Sequence, residues 1–133
     1  MLFRSWKSFD LYAVRRLLEA HKSCVFDFGA GHSVYEDDAL FARIQKILAP
    51  YVNVVLILPS PDLDESVQIL KARRSDGVAD GFDFHDHFVK HHSNHDLAKL
   101  VVYTKDKTPE ETCNEILALI RRQADALSHA PPV

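Results

Sequence analysis

Apolar positions along this chain switch repeatedly between helical and extended spacing, with short polar turns between. From Phe9 to His21, Leu11, Val14, Leu17 and Leu18 recur at helical intervals, with Arg15, Arg16 and Glu19 on the other face. That spacing predicts an amphipathic helix. Cys24-Val25-Phe26-Asp27-Phe28 is short, rich in β-formers and stopped by Gly29-Ala30-Gly31, so a strand is expected there. Asp38 to Leu48 predicts a second helix with Leu40, Ile44, Ile47 and Leu48 as its stripe, ended by Pro50. Val52 to Leu58 is a nearly continuous apolar run, as expected of a strand covered on both faces.

Ser60-Pro61-Asp62 opens a third helix, with Ser as the cap and Pro at the first helical position. Leu63, Val67 and Leu70 form its stripe to about Arg73, and Ser75-Asp76-Gly77 breaks it. Val78 to Asp96 is irregular and mobile in this reading, holding Gly81 and most of the histidines. Leu100 to Tyr103 predicts a third strand, and Thr108-Pro109-Glu110-Glu111 combines a capping box with Pro at the first helical position. The last helix carries Ile116, Leu119 and Ile120 and frays from Ser128. Strands alternating with helices imply a parallel sheet layered by helices, an α/β domain of three-layer α/β/α type. Three strands make a thin sheet for that architecture.

Length and charge narrow the class. The chain has 133 residues, which fits one domain, expected over residues 1–128 with a disordered tail at 129–133. A net charge of −3 and a sequence pI near 6.2 give no electrostatic footprint for nucleic acid or an anionic membrane. Cys24 and Cys113 form no C-x-x-C or zinc pattern, and no apolar run reaches the ~18 residues of a membrane span. Free thiols and the absence of a signal-peptide pattern place the protein in the cytoplasm as an expectation.

Several residues could carry chemistry. Gly29-Ala30-Gly31 lies between an expected strand and a helix, where ligands sit in open α/β sheets, although a glycine-rich turn without a ligand fits as well. A dinucleotide fingerprint is not met, because Val34 occupies the third small-residue position. Asp27 is an acid in an apolar strand; it either holds Mg²⁺ or caps the turn or pairs with an arginine. Arg73 and Arg74 end the third helix, where they either complement the helix dipole or face a nucleotide. His85, His87, His91, His92 and His95 make Val78–Asp96 rich in possible metal ligands, and His91 and His95 stand on one face if that segment is helical. Without H-E-x-x-H or a nearby cysteine, solvated histidines are the simpler reading. No G-x-x-x-x-G-K-[ST] and no G-x-S-x-G occurs, so neither a phosphate-binding loop nor an α/β-hydrolase elbow is present in this sequence.

Taken in order, these motifs resemble the C-terminal two thirds of shikimate kinase and related small P-loop kinases, from about Phe9 to Ile120. Phe26-Asp27-Phe28-Gly29-Ala30-Gly31 is similar to the strand and glycine turn that contact the acceptor in that family. Leu56 to Asp62 is similar to its next strand and helix start, and Arg73 or Arg74 to its adenine-stacking arginine. Lys90 stands where the family has a substrate-binding arginine, and Asn94 where it has a tyrosine. Lysine lacks the bidentate grip of a guanidinium on a carboxylate, which puts shikimate itself in doubt. Thr108 and Pro109 match residues that border the adenine.

The resemblance implies a P-loop NTPase fold truncated at its N-terminus, since the family's first strand, phosphate loop and second strand have no counterpart here. It implies ATP and Mg²⁺ as cofactors, Arg73, Arg74, Thr108 and Pro109 at the nucleotide, Gly29, Ala30, Gly31 and Lys90 at the acceptor, and Asp27 at a metal. With the phosphate-loop lysine and hydroxyl missing, no catalytic residue is expected and phosphoryl transfer by this chain alone is not. A start upstream of Met1 would supply the missing segment. The alternative is a non-catalytic interaction module or homodimer, because without the family's central strand either its two neighbours pair directly or an apolar gap is left for another chain.

Overall fold

The computed structural model describes residues 2–74, 78–79 and 81–132, a chain of mixed helix and strand that is 61% helical. Helix α1 spans Leu2–Ala20, a single turn α2 Ala30–Ser33, and α3 Asp38–Leu48. Strand β1, Val55–Leu58, leads into α4, Leu63–Arg73. A small hairpin of β2 (Val78–Ala79) and β3 (Phe82–Asp83) follows, then α5 (Phe84–Lys90), α6 (His92–Leu97), β4 (Leu100–Tyr103) and α7 (Pro109–Ser128).

β1 and β4 pair in parallel with Val55 opposite Leu100 and Leu58 opposite Tyr103, while the hairpin is a separate antiparallel pair. The expected third parallel strand is absent among the described residues. Cys24–Phe28 forms no strand: its backbone makes no hydrogen bond to another described segment, and Val25 is 99% exposed. A strand needs a neighbour for its amides and carbonyls, and none lies beside this one. β1 is also shorter than expected: Val52 and Asn53 lie outside it, and the Val54 carbonyl accepts from both Lys99 and Leu100 just before the ladder.

Two cores result. The larger gathers Leu11, Val14 and Leu18 of α1, Ile44 and Leu48 of α3, Tyr35 and Leu97. Phe26 and Phe28 pack on its margin, which holds the unpaired segment against the helices by its side chains. The smaller core joins Leu58, Val67 and Val89, and thus β1, α4 and α5. Lys99 ties off the end of α3, its ammonium donating to the carbonyls of Leu48, Ala49 and Tyr51. The Leu48 carbonyl also accepts from Tyr51 N–H, and a cation suits the negative end of the helix dipole.

The helix starts follow their capping residues. Asp37 accepts from Leu40 N–H (2.9 Å) and Asp62 from Glu65 N–H (3.0 Å). Asp62 is therefore the cap of α4, in place of the expected Ser60, and the helix begins one residue after it. Ser60 turns inward instead, toward Ser66 and Glu65. At α7 the capping box is complete: Thr108 accepts from Glu111 N–H (3.2 Å), and the Glu111 carboxylate accepts from Thr108 N–H (2.6 Å). Thr108→Ala is expected to cost about 1 kcal/mol in urea unfolding, since it orphans an amide at a helix start. Thr108→Ser, which keeps the hydroxyl, should recover most of it.

The segment expected to be irregular holds regular structure. Gly81 has φ of 78°, in the left-handed region, and turns the hairpin between Val78–Ala79 and Phe82–Asp83. Asp83 then caps α5 by accepting from Asp86 N–H (3.1 Å). The expected breaker Ser75-Asp76-Gly77 lies outside the described residues.

Candidate functional site

Two places on the fold bring chemistry-bearing residues together. The first is the C-terminal end of the parallel strands. β1 runs into Pro59-Ser60-Pro61-Asp62 and α4, and β4 into the turn before α7, so both strand-to-helix turns lie at one end of the sheet. Thr104 N–H donates to the Leu58 carbonyl and Lys105 N–H to the Pro59 carbonyl, both at 2.9 Å, which carries the parallel pairing into the turns. Glu65 closes the arrangement, accepting from the Ser60 hydroxyl and the Lys105 ammonium. Hydrogen bonds from Lys105 and Ser60 hold the Glu65 carboxyl below its ordinary range, and the same pairing holds Lys105 above its own.

The residues expected at a nucleotide are not all gathered at this end. Thr108 and Pro109 are exposed at the start of α7. Arg73 and Arg74 are exposed at the far end of α4, and eight residues of helix put Arg73 roughly 12 Å along the axis from Glu65. No hydrogen bond or ion pair joins Arg73 to Thr108 among the described residues.

The second place lies between α2, the loop before α3, and the junction of α5 with α6. The Lys7 ammonium donates to the Gly31 carbonyl, lies 3.6 Å from Asp10 and sits over the Tyr35 ring, 5.0 Å from its centre. Burial pushes the Lys7 ammonium below its ordinary range, and burial with the Asp10 charge pushes the Tyr35 phenol up to about 12. The buried Ser93 hydroxyl donates to the Tyr35 carbonyl (3.1 Å) and accepts from Tyr35 N–H (3.2 Å). Ser33 donates to Asn94 Oδ1 at 2.5 Å, and Asn94 Nδ2 donates to the Phe88 carbonyl at 2.8 Å. The loop from Gly31 to Glu36 is thereby clasped to α6.

The residues expected at an acceptor, Gly29, Ala30, Gly31 and Lys90, are not gathered in one place. Gly31 lies in α2, which touches α6 where Ser33 donates to Asn94, and the Gly31 carbonyl itself accepts from Lys7. Gly29 precedes α2 and its carbonyl accepts from His32 N–H at 2.8 Å, while Ala30 is the first residue of that turn. Lys90 looks elsewhere: its ammonium lies 2.6 Å from both Asp64 and Asp86, bridging α4 and α5. These two carboxylates raise the Lys90 pKa, and its charge is balanced within the fold. Asp27 is exposed on the unpaired segment, in a shallow cleft lined by Val14, Leu17, Phe26, Phe28 and His32. His32 is the one other metal-ligating side chain in that lining.

The histidines divide differently from their expected pairing. α5 ends at Lys90, and His91 is extended there (φ −66°, ψ 128°) because its own ring accepts from Ser93 N–H to cap α6. His91 and His95 therefore sit on separate helices, and a His95 ring nitrogen lies 2.9 Å from the Val89 carbonyl. The pair that shares a face is His87 and His91, ring centres 5.3 Å apart, with Glu36 beside them. Sequence reasoning missed Glu36, whose partners lie more than fifty residues downstream. The available signal was the four-residue spacing of His87 and His91.

Comparisons with family models, curated proteins and solved structures returned no match to this chain. No helix among the described residues is long and apolar enough to cross a membrane.

Proposed function

We propose that this chain is a domain of the small-molecule kinase kind, related to shikimate kinase in architecture, that binds a nucleotide without transferring phosphate by itself. The observation carrying this reading is the joined end of the parallel strands, where the turns after β1 and β4 are tied through Leu58–Thr104, Pro59–Lys105 and Ser60–Glu65–Lys105. Ligands of open parallel sheets lie beyond the carboxyl ends of the strands. The order of motifs supports the same reading, with Arg73 or Arg74 stacking on the base and Thr108–Pro109 bordering it. Asp62 already caps α4, and Thr108 and Glu111 cap α7, so both helix starts are engaged within the fold. Base and ribose would supply the affinity, and an acceptor would lie on the Gly29–Gly31 side.

The expected result is saturable stabilisation by ATP with Mg²⁺ in a thermal melt, because a ligand that binds only the folded chain must raise its stability. ADP should act similarly and Arg73→Ala should weaken both. No shift up to about 10 mM nucleotide overturns the nucleotide reading.

A second reading has its own observation. The outer edge of β1 has no partner strand among the described residues, Ile57 on it is 52% exposed, and Trp6 and Phe9 of α1 are 61% and 66% exposed. Open strand edges and exposed large apolar side chains favour association. A dimer mass by light scattering, lost in Ile57→Lys, together with no nucleotide shift, would favour an interaction module on the same scaffold.

A further inference from the structure

His87 lies in the last turn of α5 and His91 just past its end, where His91 N–H donates to the His87 carbonyl at 3.0 Å and the two rings face each other. Glu36 comes from the loop that Ser93 clasps through Tyr35. One ligand atom from each residue lies within 4.8 Å of the other two, and His87 Nε2 is 3.9 Å from Glu36 Oε1. In a tetrahedral site with bonds of about 2.0–2.1 Å, ligand atoms stand about 3.3 Å apart. Closing the cluster needs side-chain shifts on the order of 1 Å, with the backbone in place.

The donor set selects the metal. Two imidazoles and one carboxylate suit zinc and the late first-row divalent ions, whereas Mg²⁺ and Ca²⁺ take oxygen ligands almost throughout. We infer that Glu36, His87 and His91 form a site for one divalent ion of the zinc class, with its fourth position open to solvent. Three protein ligands and an open position are the arrangement of zinc sites that bind water or substrate.

Its surroundings are consistent with that role. Burial, with His92 and His87 as neighbours, holds His91 below the ordinary imidazole range, and Glu36 pulls the other way. Lys7 is the opposing cation and is engaged by the Gly31 carbonyl and Asp10. Coordination through His91 Nδ1 displaces Ser93 N–H, and coordination through Nε2 moves the ring proton to Nδ1, so either mode exchanges the α6 cap for a metal bond. The site does not depend on nucleotide binding, and failure of the nucleotide reading leaves it standing.

The test is titration of the chain, free of any polyhistidine tag, with Co²⁺ alone, read by visible absorption and by melting temperature. One equivalent should bind with the intense visible bands of a four-coordinate ion, raise the melting temperature, and be displaced by Zn²⁺. Glu36→Gln and His87→Gln should each weaken binding at least about tenfold, while His129→Gln, at the end of α7, should not change it. Glu36 is exposed, so if His87→Gln fails to fold, Glu36→Gln decides alone. A stoichiometry other than one, or Co²⁺ affinity unchanged in Glu36→Gln, overturns the site.

Discussion

Ile44→Ala is expected to destabilise the chain by about 2–5 kcal/mol, a large part of the roughly 5–15 kcal/mol that holds a domain folded. Ile44 is 0% exposed and lies in the core where α1 meets α3, among Leu11, Val14, Leu18, Tyr35 and Leu48. Removing its outer carbons forfeits their burial and leaves a cavity that two packed helices cannot fully close. Ile44→Val removes one methylene and should cost about 0.5–1.5 kcal/mol. Ile57→Ala, on the open edge of β1, should fall well below Ile44→Ala, because half of that side chain is already in water. Urea unfolding checks the series, with a midpoint that moves and a slope that does not. A loss under about 1 kcal/mol for Ile44→Ala would mean that α1 and α3 do not share this core.

The difference between what the sequence foretells and what the chain does lies in the range of the forces. Helices α3 and α7 end where expected because their determinants are local: Asp37 and Thr108 cap them, and Ile44 and Leu48, or Ile116 and Leu119, recur at helical spacing. Cys24–Phe28 has the composition of a strand yet pairs with nothing, because a strand is defined by a neighbour its own sequence does not contain. Val55–Leu58 succeeds where Cys24–Phe28 does not because Leu100–Tyr103 lies beside it. At the candidate sites the same division holds. Gly31 and Asn94 are recognisable as motif positions, but the Ser33 hydroxyl that joins their neighbourhoods is not. His87 and His91 carry a helical spacing, whereas Glu36 joins them only through the long-range clasp of Tyr35 by Ser93.

That clasp has an internal control, which makes Ser93→Ala the more informative of the two largest expected effects. Two buried serines hold distant backbone in the same way, each accepting from the N–H and donating to the carbonyl of one residue. Ser66 does so to Ser60, at 2.9 and 2.8 Å, and Ser93 to Tyr35, at 3.2 and 3.1 Å. Alanine at either position leaves a buried amide and a buried carbonyl without partners, which costs about 1–3 kcal/mol. Ser66→Ala and Ser93→Ala should therefore lose similar stability in urea. They should part company in the Co²⁺ titration, because Ser93 positions the loop carrying Glu36 while Ser66 steadies the turn between β1 and α4. Ser93 N–H also donates to the His91 ring, but alanine keeps that amide, so a loss of cobalt affinity in Ser93→Ala reports the loop alone. Equal cobalt affinity in the two variants would show that Glu36 is held in place by something other than this clasp. A Ser93→Ala variant as stable as the parent would show that water, rather than serine, satisfies the Tyr35 backbone.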